Sequence, residues 1–215
     1  MTATVFFISG IDTDIGKTVA TGWYAQKLMR QGFSVITQKM VQTGCRGIAQ
    51  DLLTHRRMQG IAPTEEDKQG ITCPYVFDYP CSPHLAAARE MRRIEPEIIA
   101  KSTALLAQKY DYVLLEGAGG LCVPYNDSET TLDYIAARGY PLILVTSGKL
   151  GSINHTLLSL LACRARNITL HALVYNLYPP ADEIISRETQ RFLRRYLRQY
   201  HPDSQFETLA QLKNG

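Results

Sequence analysis

Short, almost uninterrupted apolar runs alternate along this chain with segments whose apolar residues recur every three or four positions. The runs at 4–9 (Thr-Val-Phe-Phe-Ile-Ser), 34–39, 112–115, 141–146 and 169–175 predict five strands. Strands without polar alternation need cover on both faces, as in a parallel sheet packed between helices. The segments 17–30, 48–59, 95–109, 132–138, 153–166 and 183–200 predict helices, long enough to serve as right-handed crossovers. Gly32 stands where a helix C-terminal glycine belongs. Residues 63–83, rich in Pro, Asp, Thr and Tyr, read as an irregular excursion, and 201–215 as a C-terminal tail. The expectation is one α/β domain over 1–215, a mostly parallel sheet flanked by helices on both faces. Ligands of such sheets bind at the carboxyl ends of the strands.

Composition narrows the function classes. A chain of 215 residues has room for one ordinary domain, and 45% hydrophobic with 20% charged residues excludes disorder and fibre. Lys and Arg total 23 against 20 Asp and Glu, and a net charge of +3 is too small to argue for a nucleic-acid partner. Cys45, Cys73, Cys81, Cys122 and Cys163 are odd in number and widely spaced, which disfavours a disulfide framework or a zinc site. The N-terminus does not read as a signal peptide, and no apolar stretch approaches the roughly 20 residues needed to cross a bilayer. A cytoplasmic protein without membrane association is expected.

The chemistry begins directly after the first strand, at Gly10-Ile11-Asp12-Thr13-Asp14-Ile15-Gly16-Lys17-Thr18. A glycine-bearing turn between a strand and a helix wraps backbone N–H groups around phosphate oxygens, and the helix terminus adds partial positive charge. Lys17 would reach the outer phosphates and the Thr18 hydroxyl would ligate magnesium. The strict G-x-x-x-x-G-K-[ST] form is missed by one place, because Ile11 fills its first glycine slot and the glycine is Gly10. The context still predicts a nucleotide loop and a P-loop NTPase-like fold.

Three other residues stand at the same expected edge. Glu116 ends the apolar run 112–115 and is followed by Gly117-Ala118-Gly119-Gly120, so an acid lies where backbone can approach a ligand and magnesium can be held. Asp51 opens a helix, where a lone Asp is commonly a cap and alternatively a metal ligand. Lys39 closes the second strand before Gln42-Thr43-Gly44. Its charge either escapes to water or lies beside the transferring phosphoryl group. Two lysines and magnesium around one triphosphate suit an anionic nucleophile, whose repulsion must be cancelled.

These residues carry a resemblance. The loop at 10–18, Lys39-Met40-Val41-Gln42-Thr43-Gly44, Ser82-Pro83-His84, Glu116-Gly117-Ala118-Gly119-Gly120 and Lys149-Leu150-Gly151-Ser152-Ile153-Asn154-His155 occur in the order found in dethiobiotin synthetases. The match covers residues 4 to about 180, and its last two motifs are quite specific to that family. The resemblance implies that 7,8-diaminononanoate, CO2 and ATP give dethiobiotin, ADP and phosphate, through a carbamate and a carbamic-phosphoric anhydride. It implies Lys39 and Lys17 as catalytic lysines, and Thr18, Asp51 and Glu116 as the Mg2+ set. For ATP it implies Asp14, Ile15, Gly16, Lys17, Thr18 and Val19 of the loop, with Asp51, Glu116, Gly117, Ala118 and Gly119, and Asn176 and Leu177 at the adenine. For the diamine it implies Thr13, Lys39 and Thr43, with Leu150, Gly151, Ser152 and Asn154 offering a helix start to its carboxylate. A homodimer follows by the same analogy.

Three departures accompany the resemblance. Leu177 stands where relatives carry an acid after the asparagine. Arg187 or a neighbour stands where they place a tyrosine lent by a second subunit. The chain is expected to lack the strand and G-x-x-P turn that follow in relatives.

Two other classes compete. A regulatory or partitioning ATPase would carry a lysine upstream within K-G-G-x-G-K-T, where this chain has Asp12-Thr13-Asp14. Its support is the helix at 183–200, with Arg187, Arg191, Arg194, Arg195 and Arg198 opposite Ile184, Ile185, Phe192, Leu193, Tyr196 and Leu197. Such a helix either lies on an anionic membrane or packs its apolar side on the sheet. A small-molecule kinase would need a general base near a hydroxyl, for which Asp14 or Asp12 could serve.

Overall fold

Alternate residues of the central strands enter two separate apolar clusters. Phe7, Leu115, Leu142, Leu144, Leu173 and Tyr175 face one side, and Phe6, Ile8, Leu114, Ile143, Val145 and Val174 the other. That two-sided burial is what the unbroken apolar runs require. The structure is a computed structural model and describes residues 3–210.

The chain order is β1 (Thr4–Gly10), α1 (Lys17–Met29), β2 (Val35–Lys39), β3 (Gln42–Thr43), α2 (Gln50–Gln59), α3 (Glu65–Lys68), β4 (Val76–Phe77), α4 (Pro83–Arg89) and α5 (Pro96–Ala107). There follow β5 (Tyr112–Gly120), α6 (Thr131–Arg138), β6 (Leu142–Ser147), α7 (Ser152–Ala165), β7 (Leu170–Asn176), α8 (Glu183–Tyr200) and β8 (Gln205–Leu209). Six strands form one parallel sheet in the order β2-β5-β1-β6-β7-β8, and β3 pairs with β4 in a small parallel sheet. One face packs on α1 through Ala20, Tyr24, Ala25 and Leu28. The other packs on α4 to α8, including Ala86, Ile99, Ile135, Leu160, Leu193 and Leu197. Phe192, Leu193, Tyr196 and Leu197 of α8 therefore pack toward the sheet, while Ile184 and Ile185 are exposed together with Arg187, Arg191, Arg195 and Arg198, and Arg194 is half-buried over the Phe206 ring.

Two expectations are corrected. The tail from 201 is not strandless: β8 adds a sixth strand beside β7, and the Leu177 N–H donates to the Leu209 carbonyl at 3.0 Å. An edge strand reading Gln-Phe-Glu-Thr-Leu, with Leu209 alone fully buried, does not present the continuous apolar run that marks central strands. The remainder of the tail, 211–215, lies outside the described residues. Nor is 63–83 wholly irregular. Thr64 and Asp67 form a reciprocal capping box that starts α3, and β4 pairs with β3 to brace the turn after Lys39.

Candidate active site

Loop and strand ends at the carboxyl edge of the sheet enclose a cleft of about 840 Å3. Between β1 and α1 the backbone is left-handed at Asp14 (φ 54°) and Gly16 (φ 95°). A Cβ on Gly16 would overlap the Asn176 side-chain nitrogen, which donates to the Ile15 carbonyl at 3.1 Å. Asn176 Oδ1 accepts from the Tyr178 N–H at 3.0 Å, so the end of β7 pins the loop. Among the described residues no side chain caps the start of α1, which leaves its first amides available to an anion.

Lys17 opens that helix and donates to the Asp12 carbonyl at 2.8 Å. Burial and the neighbouring Lys39 charge push its ammonium down to about 8. Lys39 closes β2 directly opposite Glu116 on β5. Its ammonium donates to Glu116 Oε1 at 2.7 Å and pairs with Asp51 from the first turn of α2. Burial opposes the Lys39 charge, but the two carboxylates outweigh it and its pKa is raised. Burial likewise opposes charge on Glu116, and Lys39 and His55 reverse that, holding its carboxyl well below the usual range. Thr18 Oγ1 donates to the same Glu116 Oε1 at 3.3 Å.

This donor set fits magnesium. One hydroxyl and two carboxylates present hard oxygens around a point where a cationic group, the Lys39 ammonium, already lies. Magnesium is usually bound through one or two carboxylates and completes its shell with phosphate oxygens and water. Among the described residues no three His, Cys, Asp or Glu side chains converge as a protein-only cage.

The cleft draws together most of the residues singled out in the sequence. Thr13, Asp14 and Gly16 come from the loop, and Lys17, Thr18 and Val19 from α1. Lys39, Thr43 and Asp51 come from the β2–α2 region, Glu116, Ala118 and Gly119 from β5, and Asn176 from β7. Ile15 instead points into the α1-side core, and Gly117 packs on the Phe7 ring, where a Cβ would crowd it. Leu177 lines a neighbouring groove with Arg187, Arg191 and Arg194. Leu150, Gly151, Ser152 and Asn154 lie at the start of α7 and are not part of the cleft lining, and Leu150 is 88% exposed.

Sequence reasoning missed several contributors. Val41, Gln42, Tyr178, Pro179 and Ala210 also line the cleft. His55, buried beneath it, brings Nε2 within 2.9 Å of Glu116 Oε2. Its signal was available: His55 follows Asp51 by four places, the spacing that puts two side chains on one helix face.

A family model described as an AAA domain matches residues 4–212. The plasmid partition protein of Borrelia burgdorferi bound to AMPPNP covers 99% of this chain and 89% of its own at a TM-score of 0.58, with 14% identity, a likeness of fold alone. ATP-dependent dethiobiotin synthetase BioD 2 of Pasteurella multocida is 72% identical over 207 residues, 96% of this chain and 97% of that one. Its counterpart from Haemophilus ducreyi is 63% identical over 202 residues, covering 94% and 96%. Identity of that degree over nearly the whole of both chains means that this chain belongs to the ATP-dependent dethiobiotin synthetase family.

Proposed function

We propose that this chain closes the cyclic urea of dethiobiotin from 7,8-diaminononanoate, CO2 and ATP, releasing ADP and phosphate, with Mg2+ accompanying the nucleotide. The observation that carries this reading is one shared cleft: Lys17 and Thr18, directly after the phosphate loop, line it together with Lys39, Asp51 and Glu116. Its volume is in the range of sites that enclose small ligands.

In this reading one amine takes up CO2 and loses a proton, giving a carbamate. A carbamate oxygen attacks the γ-phosphorus and ADP leaves. The second amine then attacks the carbonyl carbon of the mixed anhydride, forming the C–N bond and giving up a proton as the C–O bond to the departing phosphate breaks. Both reactants of the phosphoryl step are anions, so the chain must supply fixed positive charge before they can meet. Lys17 and the start of α1 grip the triphosphate, and Lys39 holds the carbamate against the γ-phosphoryl group. Thr18, Asp51 and Glu116 would hold the metal, which supplies charge neutralisation at the phosphates. Thr13 and Thr43 offer hydroxyls to the diamine, and the start of α7 at 150–154 offers amides to its carboxylate. Asn176, with Leu177 beside it, contacts the adenine edge.

We also propose a homodimer, with the exposed Leu158 and Leu161 of α7 as an apolar face for a second copy. The five cysteines are free, which suits the reducing cytoplasm. Among the described residues no helix is long and apolar enough to cross a membrane.

Labelled bicarbonate tests the reaction. ATP- and diamine-dependent incorporation of label into an acid-stable urea is expected. A phosphorylated product without label would establish a kinase. ATP turnover indifferent to the diamine would favour a partitioning-type ATPase.

A further inference from the structure

A continuous buried chain of polar contacts runs from α3 to the acid of the cleft. The Asp67 carboxylate receives two hydrogen bonds from Arg56, from Nε to Oδ2 and from Nη2 to Oδ1, each at 2.8 Å. Arg56 Nη1 donates to Thr37 Oγ1 at 2.6 Å, and Thr37 Oγ1 lies 3.0 Å from His55 Nδ1. His55 Nε2 then meets Glu116 Oε2 at 2.9 Å, a contact too oblique for a well-formed hydrogen bond, and among the described residues neither atom has a hydrogen-bond partner elsewhere. Thr37, His55 and Glu116 are fully buried, and Arg56 is 1% exposed.

The hydrogens along this chain follow from donor and acceptor chemistry. A guanidinium only donates, so Thr37 Oγ1 accepts from Arg56 and its own proton is free for His55 Nδ1. An ionised carboxylate only accepts, so His55 Nε2 must carry the hydrogen that faces Glu116. A bare Nε2 would set two lone pairs against each other at 2.9 Å away from water. Glu116 thus has its two oxygens divided. Oε2 is turned inward to the imidazole, and Oε1 is turned to Thr18 and Lys39 in the cleft.

We propose that His55 is a positioning residue for Glu116, which through this contact holds one carboxylate oxygen toward the cleft and so sets the affinity for the divalent cation that enters with ATP. The proposal rests on the reading of Glu116 as a magnesium ligand. Groups that orient a metal-binding carboxylate from behind commonly change metal affinity by ten- to a hundredfold when removed. They leave metal-independent contacts alone. His55 reaches none of the loop amides or lysines that would grip the nucleotide, so its effect separates from nucleotide binding as such.

The test is calorimetric, on the full chain, with a nonhydrolysable ATP analogue. Magnesium is titrated into protein saturated with the analogue, and the analogue is titrated separately without metal. His55→Leu, which keeps bulk and loses the donor, is expected to weaken magnesium binding about tenfold or more while metal-free analogue binding stays within about twofold. His55→Gln, whose amide N–H can reach the Nε2 position, is expected to recover most of the loss. His55→Asn, which places its amide near Nδ1 and falls short of Glu116, is expected to behave like Leu, and it carries the test should the Leu variant fail to fold. Unchanged magnesium affinity in Leu and Asn overturns the proposal, as does an equal loss of metal-free analogue binding, or a Gln variant no better than Asn. Wild-type protein that takes up the analogue with no response to magnesium would overturn the metal reading itself, a different result from unmoved variants of a magnesium-responsive protein.

Discussion

The Lys39 ammonium and the Glu116 carboxylate face each other across β2 and β5 at 2.7 Å, with both side chains essentially out of water. Each holds the other ionised against burial, so neither can be removed alone at small cost. Replacing Lys39 by Ala leaves Glu116 and Asp51 close together without their shared cation. Stability is expected to fall by about 3–5 kcal/mol, with part of it returned by added magnesium. Turnover is expected to drop about a hundred- to a thousandfold, the effect of losing one preorganised charge at a developing anion, while ATP still binds. Denaturant titration with and without magnesium, beside steady-state kinetics, checks both. Near-normal turnover in this variant would remove Lys39 from the chemistry.

Glu116→Gln keeps shape and removes the negative charge. Its magnesium requirement for turnover is expected to rise about tenfold or more, since an uncharged amide oxygen is a poorer partner for a hard dication. A magnesium titration of the rate that superimposes on wild type would count against Glu116 as a ligand.

The parts of this site that were legible in the sequence were those whose chemistry is local. Lys17 and Thr18 follow a glycine turn directly, and Glu116 follows the apolar run of β5, so their place could be read from neighbours in the chain, although the glycines after Glu116 continue the strand to Gly120 where a turn was expected. What remained hidden depended on distant pairing. Arg56 reads as one more charge in a polar helix, yet it is nearly sealed from water because Asp67, in a segment without apolar periodicity, folds back over it. β8 was missed for a related reason: as an edge strand it takes its definition from β7, not from an apolar run of its own. Asn176 was singled out for the nucleotide, and its hold on the phosphate loop emerges only when β7 and the loop are seen together.

The lowered Lys17 pKa gives nucleotide binding a pH dependence. With a folded value of about 8 against an ordinary 10.5, the folded chain binds fewer protons than the unfolded one between those limits, so this lysine's contribution to stability rises over that interval. Phosphate oxygens reverse the shift by favouring the ammonium. Binding of ATP at pH 9 is therefore expected to take up most of one proton, and affinity to fall as pH rises through about 8. Calorimetry in two buffers of different ionisation enthalpy measures the uptake, which Lys17→Met should abolish. No proton uptake in the wild type at pH 9 would contradict the placement of Lys17 on the phosphates.

Gly16 is required by geometry twice over. Its φ of 95° disfavours any L side chain, and a Cβ would strike the Asn176 nitrogen that ties down Ile15. Gly16→Ala is expected to cost about 1–3 kcal/mol and to weaken nucleotide binding more than tenfold, because the loop amides lose their arrangement. Asn176→Ala in the Gly16→Ala background relieves the collision but not the backbone strain. By nucleotide titration the double variant is expected to lose less than the sum of the two single losses, and strict additivity would show that the two side chains do not meet.

Asp67 and Arg56 form the buried ion pair at the far end of the chain of contacts leading to Glu116. Burial opposes the Asp67 charge, but hydrogen bonds from Arg56 and Thr72 prevail and its carboxyl is held below the ordinary range. Asp67→Ala strands the guanidinium and breaks the α3 capping box, since Asp67 also accepts from the Thr64 N–H at 2.8 Å. The expected loss is about 3–5 kcal/mol at pH 7. A carboxyl with a depressed folded pKa contributes its stability above the ordinary value of 3.8 and loses it as pH falls below that through the folded value. The gap in unfolding free energy between wild type and Asp67→Ala should therefore be widest near neutrality and narrow once the solution is more acidic than pH 3.8. Urea unfolding of both proteins at neutral pH and near pH 3 measures it, and a gap that stays constant or widens toward acid would mean that the Asp67 charge does not stabilise the fold.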